Sequence, residues 1–162
     1  MRSGWDLARL DCRFAWSRDD PSVDALREIV TPDFELHDLS SPHAVRGPAG
    51  YRRYVAAFRS AIPDLTAKVE TAVDSDDWVF YRRTLRGTHR EQFMTVPPSG
   101  EEVTVDLSSL VRTDGARMEE AWTPGWRSVA RDLARESGVE PPPLARGAES
   151  GGGPGIDPGR FG

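Results

Sequence analysis

The 162-residue chain has a single cysteine, Cys12, which excludes an internal disulfide and any thiolate-based zinc cluster. Reactive thiol chemistry would need a group to activate Cys12, and among Leu10, Phe14 and Ala15 it reads as a core residue instead. No apolar run approaches the roughly 20 residues that a membrane-spanning helix needs. The opening residues MRSGWDLARLDCRF lack a long apolar stretch followed by a small-residue cleavage site, so a cytoplasmic protein is expected. Positive charge is also short: 21 basic residues face 26 acidic ones, and the formal net charge is −5. Lysine occurs once, at Lys68, and the arginines are spread along the chain. The concentrated basic surface that nucleic acid requires is therefore missing.

What remains, 38% hydrophobic and 29% charged residues, suits one compact domain with a real core. Apolar residues at near-helical spacing from Trp5 to Trp16 predict an amphipathic helix, interrupted by Asp19, Asp20 and Pro21. Ser22 caps a second helix through Val23, Leu26, Ile29 and Val30, with Pro32 as its stop. Phe34, Leu36, His37 and Asp38 then form a short extended segment. Tyr51, Tyr54, Val55, Phe58 and Ile62 recur three and four apart along a third helix that ends before Pro63.

From Leu65 the period changes to two. Leu65, Ala67, Val69 and Thr71 alternate with polar residues, DSDD makes a turn, and Trp78 to His89 reads as a long strand. Val103, Val105, Leu107 and Val111 share one strand face that Ser109 interrupts, and the Asp114-Gly115 turn sends Met118 to Trp122 back beside it. A last helix runs from about Trp126 to Arg135 and is ended by Gly138. Residues 1–138 thus form one α+β domain in which N-terminal helices pack on a curved antiparallel sheet, a cone-shaped barrel whose open mouth makes an apolar pocket. Residues 139–162, rich in proline and glycine, cannot bury enough surface to order themselves and are expected to be a disordered tail.

The stretches TPDFELHD, GPAGYRRYVAAFRSAIPDL, RRTLRGTHREQFMTVPPSGEEVTV and LVRTDGARMEEAW, in that order and spacing, resemble the SnoaL-like polyketide cyclases of the nuclear transport factor 2-like superfamily. The resemblance spans roughly residues 5 to 138. It implies a cone-shaped barrel, a homodimer, no metal or organic cofactor, and a small hydrophobic molecule as partner. Members close a ring of a polyketide by an intramolecular aldol reaction or hydroxylate similar aromatic compounds, so the activities implied are cyclase, isomerase or cofactor-free hydroxylase in secondary metabolism.

In those cyclases a carboxylate follows the position of Trp122, and a histidine stands three residues before that of Arg112. Here the two positions are Thr123 and Ser109, and a hydroxyl cannot replace a carboxylate in proton transfer at neutral pH. Three other groups are candidates for the acid/base role. His89, in register with Val79, Tyr81 and Leu85, could act in the pocket or could satisfy the backbone of the following turn. His37 lies beside Asp38, which could hold it in one tautomer. Glu120 shares its side with Trp122, and a carboxylate among aromatics has a raised pKa. For ligand contact the candidates are Trp16, Tyr54, Phe58, Ser109, Trp122, Thr123 and Arg82, preferred to Arg83 because it matches an arginine of the family. Asp106 points away from Ser109, and His43 lies in a polar loop. Loss of both cyclase positions also leaves open a non-catalytic protein that only binds its ligand.

Overall fold

The computed structural model describes residues 2–138; the tail expected from residue 139 onward lies outside them. The elements are α1 (Gly4–Leu10), a π-helical turn (Asp11–Ala15), α2 (Val23–Arg27), β1 (Val30–Asp38), β2 (Val45–Arg46) and α3 (Gly47–Ala61). They are followed by β3 (Thr66–Ser75), β4 (Trp78–Thr88), β5 (Glu102–Thr113), β6 (Met118–Thr123) and α4 (Trp126–Ser137). One six-stranded sheet has the order β2-β1-β6-β5-β4-β3. Four of its pairings are antiparallel, whereas β1 runs parallel to β6, so the sheet is mixed where an antiparallel one was expected. The α+β class and the curved sheet hold.

Local chemistry explains most element ends. Ser22 accepts a hydrogen bond from the Ala25 backbone N–H at 3.1 Å and so caps α2. That helix stops at Arg27, and Val30 and Pro32, assigned from periodicity to its end, belong to β1. Proline is tolerated there because the β1–β6 register slips between Val30 and Glu35. Helix α3 has proline in its first turn and buries Tyr51, Val55, Phe58 and Ala61, a stripe of three- and four-residue steps laid against β1. The N-terminal helix is shorter than predicted. It gives way at Asp11 to a π turn closed by the Trp16 backbone N–H on the Asp11 carbonyl at 3.1 Å.

All four α-helices among the described residues contribute to one core with the inner sheet face, from Leu7 on α1 through Phe58 on α3 to Leu133 on α4. Cys12 is buried in the π turn, and burial pushes its thiol up to about 12, consistent with an inert core cysteine. No helix among the described residues is long and apolar enough to cross a membrane.

Candidate functional site

Strand alternation decides what faces the inside of the cone. On β4 the buried residues include Val79, Tyr81, Arg83 and Leu85; on β5 they include Leu107, Ser109 and Val111. On β6 the register with β5 slips at Glu119, and Met118, Ala121 and Thr123 turn inward. The enclosed cavity is small, about 10 Å³, which is room for about one water molecule. Phe34, Leu36, Met118 and Ala121 form its apolar wall. Trp16, Tyr51, Tyr54 and Tyr81 supply rings, and Arg83, Ser109 and Thr123 are its polar members. The open apolar pocket expected from sequence is thus largely filled, because an arginine and four large aromatic residues project into it.

Behind the cavity lies a polar centre that sequence reasoning missed. Asp11 is completely buried at the start of the π turn. Tyr51 donates to its Oδ1 at 2.5 Å, Tyr81 donates to its Oδ2, and the Trp16 indole N–H donates to the Tyr51 oxygen at 2.8 Å. Burial raises the Asp11 pKa above the ordinary carboxylate value, against the opposing pull of Arg83 and of its hydroxyl donors. Both tyrosines are pushed well above their usual pKa by burial and by the Asp11 charge, so their hydroxyls stay protonated at neutral pH. Arg83, 2% exposed, is held by the Trp16 and Tyr81 rings at 4.7 and 4.8 Å and donates to Ser109 Oγ at 3.2 Å. Burial alone would lower its pKa; the neighbouring Tyr81 and Asp11 more than offset that, and the guanidinium stays charged.

Asp38 also points inward, but its lone pairs are occupied. It accepts from the Ser40 backbone N–H at 2.8 Å, from the Ser40 hydroxyl, from Tyr54 at 2.7 Å and from the Trp126 N–H at 2.9 Å. Its role is to join the end of β1 to the start of α4.

The three sequence candidates for acid/base work do not border the cavity. His37 lies between inward Leu36 and Asp38, and Glu120 precedes inward Ala121, so both face the outer side of the sheet. There His37 Nε2 is 2.7 Å from Glu120 Oε2 and its ring stacks on Trp122 at 5.3 Å. Glu35, His37 and Glu120 place ligand atoms within 4.8 Å of one another, a donor set that a divalent cation could use. Arg46 at 2.6 Å from Glu35 and Arg112 at 3.3 Å from Glu120 already balance the carboxylates. His89 is inward and fully buried, as its register predicted, yet it sits at the end of β4 without reaching the cavity. Among the described residues neither ring nitrogen has a hydrogen-bond partner, and burial, the larger effect on the ring, lowers its pKa.

Among the expected ligand contacts, Trp16, Tyr54, Ser109 and Thr123 line the cavity. Phe58 backs it, edge-on to Trp16 at 5.1 Å. Trp122 is on the outer face, packed against Trp78 at 5.7 Å. Arg82 is exposed, and the inward arginine is Arg83, because alternation puts Arg83 and not Arg82 in step with Tyr81 and Leu85. Asp106 is exposed, as expected.

The profile of the SnoaL-like polyketide cyclase family matches residues 8–124. Among solved structures, a protein of Jannaschia sp. CCS1, provisionally described as a SnoaL-like polyketide cyclase, is 25% identical with a TM-score of 0.67, covering 88% of this chain and 99% of that one. IdmH of Streptomyces antibioticus, provisionally described as a polyketide cyclase, is 27% identical with a TM-score of 0.61, covering 75% and 91%. AclR of Streptomyces galilaeus, provisionally described as a hydroxylase, is 25% identical with a TM-score of 0.62, covering 84% and 98%. No protein of curated function matches the chain.

Proposed function

The chain belongs to the SnoaL-like polyketide cyclase family, and from that premise we propose that it activates the carbonyl group of a polyketide or similar bulky compound inside the cone, without a cofactor. The observation that supports this reading is the buried Asp11–Tyr81 pair, whose tyrosine borders the cavity beside Arg83. A raised pKa favours the protonated form of Asp11. In that form its O–H can donate to the Tyr81 oxygen, which frees the Tyr81 O–H to turn to a substrate carbonyl. As a water molecule in the cavity takes the proton from the carbon beside the carbonyl, Arg83 is positioned to stabilise the negative charge that develops on that oxygen. Tyr81 is then the group in contact with substrate, and Asp11 is a positioning residue behind it.

The test is deuterium exchange at the carbon beside the carbonyl, followed by NMR for a panel of β-diketones and β-keto esters. Tyr81→Phe is expected to lose about a hundred-fold or more of any acceleration. Asp11→Asn, a neutral group that can still donate, is expected to keep activity but to lose the fall in rate as pH rises through the Asp11 pKa. No exchange above buffer, or exchange undiminished in Tyr81→Phe, would sink the reading. A second reading, ligand binding without turnover, is favoured by Ser109 and Thr123 at the two cyclase positions; it predicts ligand binding with no exchange.

The homodimer is proposed on the outer sheet face. Val73, Phe80, Leu110 and Trp122 are cross-strand neighbours in one row there, with Val73 57% and Phe80 43% exposed. Sedimentation is expected to show a dimer that Phe80→Glu converts to monomer; a monomeric wild-type chain at tens of micromolar would refute it.

A further inference from the structure

We infer that the cavity is an anion site, and that its ligand is a planar delocalised oxyanion, a carboxylate or an ionised 1,3-dicarbonyl, whose charge is matched by Arg83. The inference rests on the proposed carbonyl chemistry and adds the charge state of the substrate.

A buried guanidinium is costly unless it is paired. Arg83 is 2% exposed, yet among the described residues no carboxylate reaches it at ion-pair distance, and its Nε has no hydrogen-bond partner. Its one side-chain hydrogen bond is to the neutral Ser109 hydroxyl. Asp11 acts on it from farther away, and the same burial that raises the Asp11 pKa weakens that compensation. The cavity lining adds no negative charge: Arg83 is its one ionic member, beside the hydroxyls of Ser109 and Thr123. A positive charge with an unused donor, bordered by two neutral hydroxyls and set in an aromatic wall, is complementary to an oxyanion.

The size of the space refines this. About 10 Å³ accommodates a single oxygen. The charged oxygen seats beside Arg83, and the body of the ligand has to displace Tyr54, the one cavity aromatic that is not fully buried. An ionised 1,3-dicarbonyl would arrive with its carbanion already formed. That supplies a base-free route to carbon–carbon bond formation in a cavity that offers no free carboxylate to remove a proton.

Calorimetry at neutral pH tests the inference with two matched pairs. One pair is dimedone, which is ionised at neutral pH, and its neutral O-methyl enol ether; the other is cyclohexanecarboxylate and its methyl ester. At least one anion is expected to bind the wild-type chain about ten-fold or more tighter than its neutral partner, the gain of a charge-assisted hydrogen bond. The pair that discriminates identifies the source of the charge. Arg83→Gln, with folding checked by circular dichroism, is expected to abolish the preference, and Arg83→Lys to keep part of it. Should Arg83→Gln not fold, the wild-type chain still decides: dimedone affinity must fall as pH drops below the dicarbonyl's own pKa. Equal binding of both members of each pair, no binding of any probe at millimolar concentration, or an anion preference that persists in folded Arg83→Gln would overturn the inference. Because these probes report binding and not exchange, an anion preference without exchange would sink only the carbonyl-activation reading.

Discussion

Asp11→Ala is expected to lower the unfolding free energy by about 3–5 kcal/mol, the cost of removing one member of a buried charged network. The substitution leaves the Tyr51 and Tyr81 hydroxyls, both completely buried, without their acceptor, and it removes an acidic group that acts on the Arg83 guanidinium. Asp11→Asn keeps an acceptor for one tyrosine and is expected to cost about 1–3 kcal/mol. The pH dependence separates the electrostatic part. Burial raises the folded Asp11 pKa above the ordinary carboxyl value of 3.8, so the folded state holds a proton that the unfolded chain has released. The stability this group contributes is therefore fully present below 3.8 and is lost as pH rises through the higher folded value. Urea denaturation across that window should show the wild-type chain losing stability relative to Asp11→Asn. A wild-type chain that gains on the variant with rising pH would mean that Asp11 is ionised and well compensated in the fold.

Much of this architecture was legible because alternation and helical spacing are direct consequences of burial. The inward set Val79, Tyr81 and Leu85 follows from period two alone. The same rule selects Arg83 as the inward member, whereas the family resemblance points to Arg82, which is exposed. Asp11 also left a trace: it stands four residues after Leu7 and four before Ala15, a charge on an otherwise apolar helical stripe. What spacing could not show is the π turn, which brings the Trp16 indole into the same hydrogen-bonded group as Asp11. Glu120 lies away from the cavity for a different reason. It shares a face with Trp122, as alternation predicts, but the face is the outer one, and only pairing with β1 and β5 decides between faces.

His89 shows the limit of register as a guide to function. Its position in the alternation does turn it inward. The segment that follows, however, crosses over it: the Gly100 N–H donates to the His89 carbonyl at 2.8 Å, the His89 N–H donates to Glu101 at 3.0 Å, and Phe93 packs on Phe58 at 5.2 Å. An imidazole closed in this way is inside the protein and outside the cavity. Inward direction is a property of one strand, whereas access to the cavity depends on every element packed around it.

The second large effect is expected at Gly125, where α4 joins the end of the sheet. Gly125 has φ of 89° and ψ of −171°, a region that residues with a Cβ essentially never adopt and whose occupation costs about 1–3 kcal/mol. A Cβ at this position would also fall 2.5 Å from Asp38 Oδ2 and nearer still to Oδ1. Asp38 cannot yield without giving up the Ser40, Tyr54 and Trp126 donors, and each buried donor left unpaired costs about 1–3 kcal/mol more. Gly125→Ala is therefore expected to destabilise the chain by about 3–5 kcal/mol in urea denaturation. Gly138→Ala is the control. Gly138 also has a positive φ, 72°, but nothing among the described residues lies within 4 Å of its added Cβ, so the backbone cost of about 1 kcal/mol is what is expected there. A difference between the two variants measures what the Asp38 junction contributes to holding α4 against the cone, and equal losses would assign the whole effect to backbone conformation.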